Sequence, residues 1–230
     1  VLFRSPERAR PAAAVIDGPQ QVTIRMWNVP TPGSRPHDPM AAKDGSLWYT
    51  GQTSNRLGRV DMKTGQIREY PLKTPHSGPH GLVEDRNGHV WFTANHASYI
   101  GRLDPRTGNV TEYRIPEPGA KDPHTIAIDQ SGTVWFTAQN ANVVGRITPA
   151  TGEVKVVKAP SANSRPYGIL INGKGVPVYV AFGTNRIATV DPKTMEIREH
   201  TLPDAGARPR RLALVGDDVV WYSDHARGYL

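Results

Sequence analysis

A single period constrains this chain more than any other feature. The aromatic residues Trp48, Trp91, Trp135, Tyr179 and Trp221 recur at spacings of 43, 44, 44 and 42. The prolines Pro36, Pro79, Pro123, Pro166 and Pro209 recur at 43, 44, 43 and 43. A third column of small residues, Gly58, Gly101, Gly145 and Ala188, keeps the same step. Self-similarity at 40–50 residues, with several short strands in each unit, is the mark of a β-propeller.

Within one unit, Pro79 to Tyr113, two turn signals, Arg-Asn-Gly-His at 86–89 and Pro-Arg-Thr-Gly at 105–108, separate runs rich in Val, Ile, Trp, Phe and Tyr. Gly supplies the positive φ that such hairpin turns need. The reading places strands at 81–85, 89–94, 99–104 and 110–115, with the Trp column packed between blades. The hairpin closed by Thr64-Gly65, Thr107-Gly108 and Thr151-Gly152 becomes Thr194-Met195 in the fourth unit, so a different turn is expected there.

The expected fold is therefore an all-β propeller of four-stranded blades over residues 22–230. Its blades lie at 36–72, 79–115, 123–158 and 166–202, with a partial blade at 209–230. The run Thr23 to Pro30 resembles an outer strand and is assigned as an orphan one over 23–30. Residues 1–21, with Arg4, Arg8, Arg10, Pro6, Pro11 and an Ala run, read as a disordered or truncated segment. The count of units suggests an open arc of a seven-bladed ring. The competing reading is a five-bladed ring closed by the N-terminal strand.

Composition narrows the function. The 230 residues include no Cys, which excludes disulfides, thiolate metal sites and cysteine nucleophiles. No apolar run is long enough to span a membrane. The net charge is +7, but the basic residues are scattered with no basic helix or stacking platform, so nucleic acid is not an expected partner. The expected partner is a small or peptide-like ligand, and a complete ring is expected to be a monomer. A periplasmic or secreted location is favoured over a cytoplasmic one.

In a blade of this kind the innermost strand lines a central channel, and two loop positions meet at its mouth. The first follows the opening Pro: His37, His80, His124, Tyr167 and Arg210. The second follows the Trp strand: Gln52, Asn95-His96, Gln139-Asn140, Thr184-Asn185 and Asp224-His225. His37, His80 and His124 are candidate bases and hydrogen-bond donors, since neutral imidazole accepts a proton near pH 7. Tyr167, Arg210, Asn95, Gln139 and His225 are candidate ligand contacts. Arg35, Arg165 and Arg208, which precede the opening Pro, suit an anionic or carbonyl-rich ligand.

The unit Gly-Pro-His-Gly-Leu … Gly-His-Val-Trp-Phe-Thr … Ile-Gly-Arg-Leu-Asp-Pro-x-Thr-Gly-x-Val-Thr-Glu-Tyr resembles the virginiamycin B lyase (streptogramin B lyase) family. The resemblance implies a propeller that opens a cyclic depsipeptide by Mg²⁺-assisted elimination. It implies an acidic-Pro-His-Gly run paired with a Glu in the Trp-Phe-x-x position of the same blade. Asp122-Pro123-His124 matches the first half, but Ala138 stands at the partner position. Gly51, Ala94 and Phe182 are read as its equivalents, and only Asp224 there is acidic. Asp122 and Asp224 are thus the metal-ligand candidates that the resemblance implies. The second hypothesis is a non-catalytic propeller that binds a small polar or anionic ligand or a protein through the same mouth. A third, a calcium-dependent lactonase, would need more channel carboxylates than this rim offers.

Overall fold

The computed structural model describes residues 18–19 and 21–230, so most of the 1–21 segment lies outside the described residues. Eighteen strands follow in order. The first unit holds β1 (Pro36–Ala41), β2 (Leu47–Gly51), β3 (Arg56–Val60) and β4 (Ile67–Pro71). The second holds β5 (Pro79–Glu84), β6 (Val90–Ala94), β7 (Tyr99–Leu103) and β8 (Val110–Arg114). The third holds β9 (Pro123–Ile128), β10 (Val134–Ala138), β11 (Val143–Thr148) and β12 (Glu153–Lys158). The fourth holds β13 (Pro166–Ile171), β14 (Pro177–Ala181), β15 (Arg186–Val190) and β16 (Ile197–Thr201). The fifth has β17 (Pro209–Val215) and β18 (Val219–Asp224). Each of the first four units is an antiparallel four-stranded sheet in sequence order, and the fifth is a two-stranded sheet. The described chain is an open arc of propeller blades, with the innermost strands β1, β5, β9, β13 and β17 side by side.

Aromatic residues on the second strand of each blade hold the arc together. Trp91 faces forward and packs with Phe136, Ile126 and Val134 of the third blade. Trp48 packs with Phe92 and Ala94 of the second, and Trp135 with Tyr179 and Ile169 of the fourth. All three indoles are buried. The ring at the next position, Phe92 or Phe136, lies over the glycine of the adjacent strand, Gly101 or Gly145, where any Cβ would run into the ring. The Gly column is therefore the floor of the aromatic column.

The pairing register corrects one assignment. Ala181 pairs with Pro166 as Ala94 pairs with Pro79, and Tyr179 pairs with Ile169 as Phe92 pairs with Leu82. Tyr179 thus belongs with Tyr49, Phe92 and Phe136, and the fourth member of the Trp column is Val178. The interface between blades four and five accordingly has an aliphatic residue in place of the indole, with Val178, Val180, Leu202 and Leu212 packed beside Tyr222.

Two further expectations change. The Thr194-Met195 turn does not differ from the others. Met195 takes φ 66° where Gly65 and Gly108 take 74° and 79°, and its N–H donates to Asp191 at 2.9 Å as Gly108 does to Asp104 at 2.8 Å. Burial of the Met195 side chain against Val190 and Ala188 offsets the cost of the left-handed backbone. Residues 23–30 form no strand. Among the described residues the fifth sheet has two strands, and residues 23–30 pair with none of the sheets. Val22, Ile24 and Met26 are exposed instead, and the Trp27 ring rests on Gly65 of the first blade.

A second repeated device ties neighbouring blades at the channel. The hydroxyls of Thr50, Thr93 and Thr137 donate to the carbonyls of His80, His124 and Tyr167, each on the next blade, at 3.1, 2.9 and 2.6 Å. Thr93 also accepts the Gly81 N–H at 2.8 Å, and Thr137 the Thr125 N–H at 3.2 Å. One buried hydroxyl therefore satisfies two backbone groups that the sheet ladder leaves over.

Three outcomes follow for stability, all readable by urea denaturation. Replacing Trp91 by Ala is expected to cost about 3–5 kcal/mol. The same change at the half-exposed Trp221 is expected to cost about 1 kcal/mol or less. Thr93→Val, which keeps the shape but strands a donor and an acceptor, is expected to cost about 1–3 kcal/mol.

Candidate functional site

Each innermost strand begins with the opening Pro and then breaks register. The shift falls between Pro36 and Pro39, Pro79 and Leu82, Pro123 and Ile126, Pro166 and Ile169, and Pro209 and Leu212. A bulge of this kind leaves two residues out of the ladder and re-aims their side chains. The five bulge dipeptides are His37-Asp38, His80-Gly81, His124-Thr125, Tyr167-Gly168 and Arg210-Arg211.

The first residues of these dipeptides form one continuous ladder across the arc. Ring centroids lie 4.2 Å apart for His37 and His80, 4.1 Å for His80 and His124, and 3.8 Å for His124 and Tyr167. Arg210 closes the ladder, donating from Nε and Nη2 to the Tyr167 hydroxyl at 3.3 and 3.2 Å. The guanidinium of Arg211 sits 5.2 Å from the Tyr167 ring centre. All five residues proposed from the first loop position are thus brought together.

One residue of this site was missed in the sequence. Asp38 lies at the head of the ladder, with Oδ1 2.9 Å from His37 Nδ1 and Oδ2 3.4 Å from His80 Nδ1. The Nη2 of Arg211, four blades away in sequence, comes within 3.9 Å of Asp38 Oδ1. The signal was present: position 38 is a carboxylate where the other units carry Gly81, Thr125, Gly168 and Arg211.

Electrostatics follow from this crowding. Burial, the neighbouring His80 and Arg211 push the His124 pKa down to about 2. Burial and His80 also lower that of the half-exposed His37, against the pull of Asp38. Burial alone would raise the Asp38 pKa, but His80, Arg211 and His37 outweigh it, and the carboxyl is held below its usual range. His37 and His124 are therefore neutral near pH 7 and Asp38 is ionised.

The second loop position sits against the first. The N–H groups of Gln52, Asn95, Gln139, Phe182 and His225 each donate to the carbonyl preceding the opening Pro of their blade. The fourth-unit member is thus Phe182. Ala181 takes the place, equivalent to Ala138, that the sequence reading gave to Phe182. Asn185, expected at the mouth, instead bonds the carbonyls of Leu202 and Asp204, as Asn55 does those of Leu72 and Thr74. Asn95 donates to Asp122 and to the Pro123 carbonyl. Gln139 is buried, and His225 is exposed beside Phe182 with ring centres 5.7 Å apart.

Asp122 takes φ 71°, and burial raises its pKa although Asn95 partly offsets this. Asp224 is buried, accepts the Arg208 N–H at 3.0 Å and lies 3.8 Å from Arg227. Among the described residues, the group of three potential ligands close enough to share an ion is His37, Asp38 and His80, and it includes neither Asp122 nor Asp224. Mg²⁺ demands oxygen donors in octahedral array, whereas this cluster offers one carboxylate and two imidazoles. The donor set does not suit Mg²⁺. Among the described residues no helix is long and apolar enough to cross a membrane.

Fold and site together define a β-propeller with a polar, histidine-lined channel mouth. Residues 13–229 match the Virginiamycin B lyase family, and the chain belongs to that family. The structure of virginiamycin B lyase from Staphylococcus aureus is 33% identical, with a TM-score of 0.79, over 86% of this chain and 66% of that one. A streptogramin B lyase structure is 32% identical, with a TM-score of 0.80, over 89% of this chain and 67% of that one. This chain therefore spans about two thirds of those relatives. A gluconolactonase from Xanthomonas campestris, 14% identical with a TM-score of 0.61, shares the fold. No curated protein sequence matches.

The histidine ladder makes stability depend on pH. A His with a depressed folded pKa takes up its proton in the unfolded chain first, so its contribution is complete above about 6.5 and falls away as pH drops below that value. The urea midpoint is expected to fall between pH 7 and pH 5. His124→Gln should be less stable at pH 7 but lose less over the same interval.

Proposed function

We propose that this chain carries the ligand-holding face of a lyase-type propeller that acts on a cyclic ester or depsipeptide at the channel mouth. The single observation that supports this reading is the continuous His37–His80–His124–Tyr167–Arg210 ladder with Asp38 at its head, Arg210 at its other end and Arg211 reaching both Tyr167 and Asp38. Arg210 and Arg211 offer donors to ester and amide carbonyl oxygens, and the partly exposed His37 offers an open ring at the head of the ladder. Among the relatives, a catalytically inactive histidine-to-alanine variant of the Staphylococcus aureus enzyme was captured with quinupristin. That supports a depsipeptide as the ligand class and a histidine as a working group.

Of the three sequence candidates, His37 suits proton abstraction best. It is neutral and partly open, and Asp38 accepts from its Nδ1–H, which leaves Nε2 free to take a proton. In this reading His80 and His124, both buried, position the ligand and their neighbours. Removal of a proton beside an ester carbonyl builds negative charge on the carbonyl oxygen, and Arg210 or Arg211 would balance it.

A second reading, ligand binding without chemistry, is favoured by the partner column. Opposite the opening Pro stand Gly51, Ala94, Ala138 and Ala181, so no carboxylate faces Asp122-Pro123-His124 across its blade. Incubation with quinupristin in Mg²⁺ buffer separates the two. Linearised product that falls at least about 100-fold in His37→Ala supports the lyase reading. Saturable binding without product, weakened about 10-fold or more by Arg210→Ala, supports the second. Neither binding nor product removes both.

A further inference from the structure

We infer that His37, Asp38 and His80 form a binding site for a divalent transition ion of the Zn²⁺, Co²⁺ or Ni²⁺ type, at the head of the channel ladder. The inference stands apart from the lyase reading, since an ion on His37 Nδ1 would replace the Nδ1–H that Asp38 accepts there. It rests on three side chains from two adjacent blades, whatever ligand the channel takes.

The first observation is geometric. One ligand atom from each residue lies within 4.8 Å of the others. Asp38 stands between the two rings, its oxygens 2.9 Å from His37 Nδ1 and 3.4 Å from His80 Nδ1. Atoms about 2.1 Å from a shared ion stand about 3.0–3.4 Å apart in octahedral or tetrahedral arrangement, which the two separations to Asp38 match, and the two rings would close on the ion from there. The second observation is independent. His80 is 6% exposed, and its buried Nδ1, 3.4 Å from Asp38 Oδ2, makes no hydrogen bond. A buried ring nitrogen aimed at a carboxylate without bonding to it is an unmet polar atom, which a metal would satisfy.

The backbone holds the ligands in place. His37 and Asp38 are the two residues of the first bulge, and the His80 carbonyl is fixed by the Thr50 hydroxyl of the first blade at 3.1 Å. The ligands thus come from strands already tied together. Two imidazoles and one carboxylate on one side of an ion leave its other positions open, the pattern of catalytic rather than structural transition-metal sites. In this chain those positions would face the channel. Borderline nitrogen donors favour Zn²⁺, Co²⁺ or Ni²⁺ over Mg²⁺ and Ca²⁺, whose sites are built from oxygen. The site thus departs from the Mg²⁺ that the family resemblance implies. Arg211, 3.9 Å from Asp38 Oδ1, is the nearest opposing charge, and it would have to draw back from that oxygen.

The test is a titration of untagged, metal-free protein with Co²⁺ and Zn²⁺, followed by calorimetry and by the visible absorption of bound Co²⁺. The expected result is one equivalent per chain, a Co²⁺ band displaced by Zn²⁺, and no displacement by millimolar Mg²⁺. Asp38→Asn and His37→Gln, at partly exposed positions, should each weaken Zn²⁺ about 100-fold with the fold retained by circular dichroism. His89→Gln, whose ring pairs with Asp85 at the other end of its blade, should change nothing. Absence of one-to-one binding, unchanged affinity in Asp38→Asn and His37→Gln, equal loss in His89→Gln, or displacement by Mg²⁺ would each overturn the assignment.

Discussion

The hydroxyl of the threonine in each Trp-x-Thr run is the small group on which the channel depends. A bulge at the start of every innermost strand removes two residues from the ladder, and their backbone groups must be met elsewhere. Thr50, Thr93 and Thr137 meet them by bonding across to the next blade. The bond fixes the carbonyl of the same residue whose side chain forms the ladder, so blade spacing and ladder spacing are set together. In the fourth unit the place is taken by Val180, and in the fifth by Ser223, which accepts the Arg211 N–H at 3.1 Å. The joint between blades four and five therefore lacks the threonine bond and relies on the cluster around Val178, Val180 and Leu202 and on Arg210 bonding the Tyr167 hydroxyl, and it is also the joint where the aromatic Trp gives way to Val178.

Most of the architecture was legible in the sequence because a repeat tests itself. Pro, Trp and Gly columns had to agree, and together they place the hairpins, the first loop column and the facing of Trp48, Trp91 and Trp135. Where the text misled, the cause was a single-residue ambiguity. Tyr179 was aligned with Trp135 on aromatic character, but strand pairing is decided by what opposes each residue, and Tyr179 stands over Ala188 as Phe136 stands over Gly145. The Thr23–Pro30 run has the composition of an outer strand, but composition does not supply a pairing partner, and it pairs with none of the sheets.

The candidate site was half legible. The residues after the opening Pro could be collected by position, and they do meet. Asp38 could not be found that way, because its importance lies in being the exception in its column. The partner position was misplaced by one residue in the fourth blade for the same reason as Tyr179. What could not be read at all is the closeness of the rings. That depends on the curvature of the arc, which brings Arg211 of the fifth unit to Asp38 of the first.

The bulges also decide where this scaffold is free to vary. At Gly81 a Cβ would stand 2.6 Å from the His124 carbonyl oxygen, and at Gly168 one would stand 2.8 Å from that of Arg210. The second bulge position is therefore closed to side chains in the second and fourth units. It holds Asp38, Thr125 and Arg211 in the first, third and fifth. Diversification of the mouth is thus rationed by parity: even-numbered blades can change one residue facing the lumen, odd-numbered blades two. The carboxylate and the extra guanidinium of this channel both occupy the odd-numbered vacancies.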